Sequence, residues 1–257
     1  AAPGAAEATS PSGAAVSYDA ATATDIGDDS VDVTYSAASA STFSIGTTTV
    51  TATATDDNGN VSTCSFDVVV TDTTVPTITC SDDISTEATS SAGASVSYDT
   101  TATDVGDASL DMTYSAASGS TFAIGTTTVT ATATDDSGNV STCSFDVTVV
   151  DTTVPTITCP PALLPVEATS SAGAAVIYNA AVATDIGDDD VAIIYSAASG
   201  STYSIGTTTV TATATDDSGN TDTCTFDVTV VDTTVPTITC AAAPGAAEAT
   251  SPSGAAV

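Results

Sequence analysis

Three residue types in this chain carry chemistry, and each recurs at a regular spacing. Six cysteines fall into two registers: Cys64, Cys143 and Cys224, then Cys80, Cys159 and Cys240. Aspartates gather at Asp25, Asp28 and Asp29, pair at Asp56–Asp57, and precede a Thr-Thr-Val-Pro run at Asp72, Asp151 and Asp232. Asn60 and Asn139 open Asn-Val-Ser acceptor sequences for N-linked sugar.

The thiols point to an oxidising compartment, because cysteines in a small β-rich chain are most often a disulfide framework. No closely spaced Cys-x-x-Cys pair exists to hold zinc. Two connectivities respect the spacing. Neighbours can pair, as Cys64–Cys80, Cys143–Cys159 and Cys224–Cys240, or each repeat can close on itself. Sixteen residues separate Cys64 from Cys80, and extended chain advances about 3.3 Å per residue. A disulfide needs its Cα atoms within about 7 Å. The reading adopted is therefore Cys80–Cys143 and Cys159–Cys224, with Cys64 and Cys240 pairing outside this stretch of chain.

The carboxylates are hard oxygen ligands of the kind calcium takes, at about six to eight per ion. Asp25, Asp28, Asp29, Asp56, Asp57, Asp72, Asp151 and Asp232 are the calcium candidates, although no segment has EF-hand spacing. The bland alternative is a set of solvated turn residues. The chain has 32 acidic residues and no Lys, Arg or His, a formal charge of −32. Internal ion pairs with basic side chains are thus impossible, and neutralisation falls to solvent ions, a metal or a partner. Nucleic acid is excluded as a partner, since nothing here can meet a phosphate, and so is membrane insertion, since no long apolar run occurs. Catalysis is not expected either. A serine would lack its base, and the Asp56–Asp57 pair recurs at Asp135–Asp136 and Asp216–Asp217, as a turn requirement would make it do.

These residues are positioned by β-strands. Thr48–Asp56 alternates strictly, with Val50, Ala52 and Ala54 on one face and Thr51, Thr53 and Thr55 on the other. Asp-Asp-Asn-Gly-Asn and Asp-Asp-Ser-Gly-Asn follow such runs and read as hairpin turns. Asp-Thr-Thr-Val-Pro-Thr-Ile-Thr-Cys starts at Asp72, Asp151 and Asp232, so the period is close to 80 residues. That length suits small domains in tandem rather than solenoid units. The prediction is an all-β chain of small antiparallel β-sandwiches with about seven strands each. Its parts are residues 1–72, lacking a first strand; two complete repeats at 73–151 and 152–232; and the start of another at 233–257. Residues 1–16 and 242–257 are identical, three repeats apart. This predicts that the chain is a cut length of a longer array whose identity resets after three domains.

The ordered motifs DTTVPTITC, VEATSSAG, YSAASGSTF, IGTTTVTATATDDSGN and TCSFDVTVVD resemble the hyalin repeat, over essentially the whole chain and three times in succession. Val75 stands where that family usually has Pro. The resemblance implies a tandem array of immunoglobulin-like sandwiches of about 80 residues, extracellular structural or adhesive work, and no catalysis. The expected function is a structural subunit of an extracellular filament or matrix fibre, head to tail, bonded to further copies of the same array. Covalent glycans at Asn60, Asn139 and the Ser/Thr-rich surface would shield strand edges that have no lysine to protect them. The alternative is a calcium-dependent adhesin or carbohydrate-binding stalk whose loops grip glycans or cell-surface receptors.

Overall fold

The computed structural model describes residues 2–27, 30–243, 245–246, 248 and 252, and among these the ordered elements are strands alone. The chain divides into two compact units, Ala1–Thr153 with Ile186–Asp189, and Val154–Asp185 with Asp190–Val257. The first unit holds two sandwich repeats and the second holds one.

The first repeat contains β1 (Ala6–Glu7), β2 (Ala14–Val16), β3 (Asp32–Tyr35), β4 (Ser41–Phe43), β5 (Gly46–Thr55) and β6 (Val61–Thr71). The second has β7 (Thr77–Thr79), β8 (Ile84–Glu87), β9 (Ala94–Ser95) and β10 (Thr101–Thr103). It continues with β11 (Asp111–Tyr114), β12 (Thr121–Phe122), β13 (Gly125–Thr134) and β14 (Val140–Val150). The third repeats this plan as β15 (Thr156–Thr158), β16 (Val166–Glu167), β17 (Ala174–Ala175) and β18 (Val182–Thr184). It ends with β19 (Ala192–Tyr195), β20 (Thr202–Tyr203), β21 (Gly206–Thr215) and β22 (Thr221–Val231).

A complete repeat therefore has eight strands, one more than the spacing predicted. In the second, a four-stranded sheet runs β11-β13-β14-β8, and two short ladders pair β7 with β10 and β9 with β12. The frame is the long hairpin β13–β14, in which Thr126 to Thr134 face Thr148 to Val140 in unbroken antiparallel register. Asp135 to Asn139 turn it, and Gly138 takes φ +88°, which a Cβ would disfavour. The sheet departs from an all-antiparallel pattern at one edge, where β8 pairs parallel with β14. Strands β7 and β8 are one extended run that changes sheets over the four residues between them, so its direction carries across and β8 arrives alongside β14.

Alternation decides what is buried. Val129 and Ala131 on β13 and Val147 on β14 are fully buried, while the threonines between them are exposed or half-buried. Phe122, Phe145 and Val149 complete this core with Ala94 and Val96. The Tyr98 ring meets Phe145 edge-on at 4.9 Å, a favoured aromatic geometry. Its hydroxyl donates to the Ala116 carbonyl, so the one polar atom on that ring is satisfied. Small residues and aromatic pairs thus fill a core that has no tryptophan.

Candidate functional site

The second and third repeats are each closed by a disulfide. Cys80 bonds Cys143 with Cα atoms 5.9 Å apart, and Cys159 bonds Cys224 at 5.7 Å. Each bridge ties the Thr-Ile-Thr strand that opens a repeat to the last strand of the same repeat. Cys64 and Cys240 are exposed free thiols.

The junction between the first and second repeats is held from both sides. On the near side, the Glu7 carboxylate accepts the Thr73 N–H at 2.7 Å and hydroxyls from Thr73 and Thr74 at 3.0 and 3.2 Å. On the far side, Asn139 Nδ2 donates to the Asp72 carbonyl at 3.1 Å, and the Ser141 hydroxyl donates to the Pro76 carbonyl. Pro76 is fully buried. The five residues from Asp72 to Pro76 therefore have little torsional freedom left, and proline removes more. Glu87 clasps Thr152 and Thr153, and Glu167 clasps Thr233 and Thr234, in the same manner. Bonding to these donors, the Thr152 N–H foremost, holds the Glu87 carboxyl below its ordinary range.

Three carboxylates converge at this junction. Asp72, Asp104 and Asp135 each place an oxygen within 4.8 Å of the other two. Asp72 ends the first repeat, Asp104 follows β10, and Asp135 opens the β13–β14 turn. Asp72 is 8% exposed and Asp135 is 6% exposed, and Asp104 Oδ2 is buried without a hydrogen-bond partner. Asp72 Oδ1 accepts from the Thr74 N–H at 3.2 Å, whereas Asp135 is satisfied by the Asn139 N–H and Nδ2 at 2.7 and 2.8 Å. Gly106 lets the Asp72 carboxylate lie here, since a Cβ on Gly106 would stand 2.3 Å from Asp72 Oδ2. Burial, and then the charges of Asp104, Asp135 and Glu7, push the Asp72 carboxyl above its ordinary range against the pull of the Thr74 N–H. Two such charges about 4.8 Å apart repel by about 3–4 kcal/mol at an effective dielectric near 20. No lysine, arginine or histidine exists to offset this.

Of the aspartates singled out from sequence, the structure brings only Asp72 into this cluster. Asp25 accepts from the Gly27 N–H at 2.8 Å. Asp56 caps its own turn by accepting from Asn58 and Asn60, and Asp57 is exposed beside it. Asp28 and Asp29 lie outside the described residues. Asp151 is buried with its Oδ1 accepting from the Thr153 N–H, and Asp232 makes the same turn with Thr234 while exposed. Asp104 went unnamed and Asp135 was read only as half of a recurring turn pair, although they stand one repeat on from Asp25 and Asp56 and alignment of the repeats would have made both calcium candidates. The sugar acceptors also differ. The Asn139 amide donates to both Asp72 and Asp135, whereas the exposed Asn60 amide donates to Asp56 alone. Asn220 keeps the turn bond to Asp216 at 2.9 Å with no acceptor sequence, so the turn accounts for an asparagine here.

Comparison with known proteins places these repeats. The HYR domain model matches residues 7–70, 71–149 and 150–230. Hyalin of Lytechinus variegatus is 33% identical over 238 residues, covering 89% of this chain and 45% of that protein. Hyalin of Strongylocentrotus purpuratus is 38% identical over 136 residues, covering 51% of this chain and 11% of that protein. The chain thus spans less than half the length of these relatives. Among solved structures, three extracellular domains of Drosophila N-cadherin align at TM-score 0.37 and 12% identity, covering 89% of this chain and 97% of that one. Three domains of mouse Cadherin-23 align at TM-score 0.34 and 14% identity, covering 89% and 95%. With three successive matches over most of its length, the chain belongs to the HYR domain family.

Proposed function

We propose that this chain is a load-bearing segment of an extracellular filament or matrix fibre, built from HYR sandwiches joined head to tail. The observation that carries this is the junction at Asp72–Pro76, bonded backward to Glu7 and forward to Asn139 and Ser141. A binding module on a flexible tether has no need of such a clasp, whereas a fibre that transmits force does. Two disulfides suit an oxidising extracellular setting. Work of this kind is mechanical and requires no active site.

A divalent cation fits the same junction. Asp72, Asp104 and Asp135 would hold it, with calcium favoured by an all-oxygen donor set. The buried, unpartnered Asp104 Oδ2 and the lack of any basic side chain support this. A bound cation would relieve repulsion across the junction and stiffen it further. Sugar is placed at Asn60 and on exposed hydroxyls, rather than at Asn139, whose amide protons are engaged. Further copies of the array are the expected partners.

Electron microscopy of the purified protein, with and without calcium, tests the fibre. Uniform filaments with a three-domain repeat are expected, and dispersed monomers in both conditions would overturn the proposal. Calcium titration followed by melting tests the cation: a rise in Tm that Asp104→Asn abolishes is expected, and an unchanged Tm counts against the site. Intact mass of native material tests the sugar, since a mass equal to the bare polypeptide excludes it.

A further inference from the structure

Each disulfide joins two strands that run the same way. In the second repeat Pro76 meets Ser141 through the serine hydroxyl, and Cys80 meets Cys143 through the bridge. Ile84 to Glu87 then lie beside Val147 to Val150 in parallel register. Residue numbers rise together along this whole contact, so β7, β8 and β14 all point from the entry of the repeat to its exit. Cys80 stands four residues before Ile84, and Cys143 stands four before Val147, so the bridge keeps the register of the parallel ladder. The third repeat is built alike. Cys159 is bonded to Cys224, and Val166–Glu167 pair parallel with Val230–Val231.

This arrangement fixes where tension travels. A pull along the chain enters the second repeat at Asp72 and reaches Cys80 eight residues on. It crosses the bridge to Cys143 and leaves at Asp151, eight residues further. Residues 81–142 are a side loop whose two ends are held by one covalent bond, with the cysteine Cα atoms 5.9 Å apart. No tension has to cross them, and residues 160–223 stand the same way in the third repeat. Only sixteen residues separate Cys143 from Cys159, and most of these are already strand, in β14 and β15. A strand advances about 3.3 Å per residue, against at most about 3.6 Å when fully extended. Force favours a state in proportion to the length gained, and this path has little length left to give.

We infer that the bridges Cys80–Cys143 and Cys159–Cys224 carry the tension, and that the sandwich bodies between the bonded cysteines hang outside the load path. The inference rests on the load-bearing reading and says which atoms bear the load. Its consequence is a fibre whose strength is uncoupled from the stability of its domains. Asp104, Asp135 and Asn139 all belong to the side loop of the second repeat, so the groups that meet Asp72 keep their fold while the chain is pulled. The hydroxyl-bearing face of β13 lies in the same loop and stays presented to solvent.

Opening a bridge reroutes the load. A small dithiol does this by exchange: one of its thiolates bonds a bridge sulfur and frees the other, and its second thiolate then displaces the first cysteine. Two cysteine thiols result, and the reagent leaves as a cyclic disulfide. Tension then passes from β8 to β14 through main-chain bonds alone, among them the Ala88 N–H to the Val150 carbonyl at 2.7 Å. Parallel strands pulled from opposite ends load such bonds in shear. When they give way, the 63 residues behind Cys80–Cys143, or the 65 behind Cys159–Cys224, join the path, each adding about 210–230 Å.

Single-molecule stretching of the full chain, held by tags at its two ends, tests this with and without dithiothreitol. The dithiol is expected to add two steps of about 210–230 Å each, and whatever residues 1–72 contribute appears under both conditions. Replacing Cys80 and Cys143 together by alanine should add that length once, with no reagent present. The decisive variant is Val129→Ala, which weakens the body of the second repeat at a fully buried site. Its oxidised force–extension curve should overlay that of the wild type, while its reduced chain gives one step at lower force. Steps of this length in the oxidised wild type, no added length on reduction, or an oxidised Val129→Ala chain that yields at lower force would each overturn the inference. Filaments that form from chains yielding in such steps while oxidised would overturn this load path and leave the fibre standing. Missing filaments, with both steps still confined to the reduced chain, would sink the fibre alone.

Discussion

The side-chain amide of Asn139 donates to the main-chain carbonyl of Asp72 at 3.1 Å, so a turn in the second repeat holds the last residue of the first. Removing it leaves the Asp72 carbonyl and one Asp135 oxygen short of a donor. Asn139→Ala is expected to cost about 1–3 kcal/mol, read as faster amide exchange across 140–150. Asn60→Ala, at an exposed turn, should cost about 1 kcal/mol or less.

The Cys80–Cys143 bridge closes 63 residues, which the chain-entropy model values at about 4 kcal/mol. Replacing both with alanine should lower the urea midpoint of the second repeat by the corresponding amount. The double replacement of Cys64 and Cys240, which are unbonded within the chain, should leave the midpoint of the isolated protein unchanged.

Inner and outer faces of one strand should respond oppositely. Val129 is fully buried, and Val129→Ala is expected to cost about 2–3 kcal/mol in lost transfer energy and cavity. Thr130, next along and facing outward, should tolerate alanine within about 0.5 kcal/mol. Equal costs at the two positions would contradict the burial pattern.

Acid should loosen the junctions through their glutamates. Glu87 ionises more readily when folded, because the Thr152 N–H and the Thr152 and Thr153 hydroxyls bond its charged form. Its contribution is therefore complete above the unfolded value of about 4.3 and is lost as pH falls through the lower folded value. Melting curves of wild type and Glu87→Gln should differ at neutral pH and converge in acid.

Gly106 faces the Asp72 carboxylate, and a Cβ there would stand 2.3 Å from Oδ2. Gly106→Ala should displace that carboxylate and weaken calcium binding, measured by titration calorimetry, while the Cys80–Cys143 bridge still forms. Unchanged binding would separate Asp72 from the cation site.

Much of this was legible in the residues themselves. Strict alternation in Thr126–Thr134 dictated which side chains face inward, because successive Cβ atoms point to opposite faces of a strand. The Asp-Asp-Ser-Gly-Asn turn was likewise local, whereas Cys80 and Cys143 lie 63 residues apart and were paired from the reach of the chain between Cys64 and Cys80. Period-two patterning says which face is buried but names no neighbour, so it left open that Ile84–Glu87 would run parallel to Val147–Val150. Nor could it say that Asp72, Asp104 and Asp135 would meet. Each sits at the end of a different strand or turn, and only the packing of two repeats around the linker brings their carboxylates within 4.8 Å. Tertiary structure also decided how deeply each segment is buried, as with Pro76 and Pro155, which are fully buried, because burial depends on the sandwich a strand packs against and not on the strand's own letters.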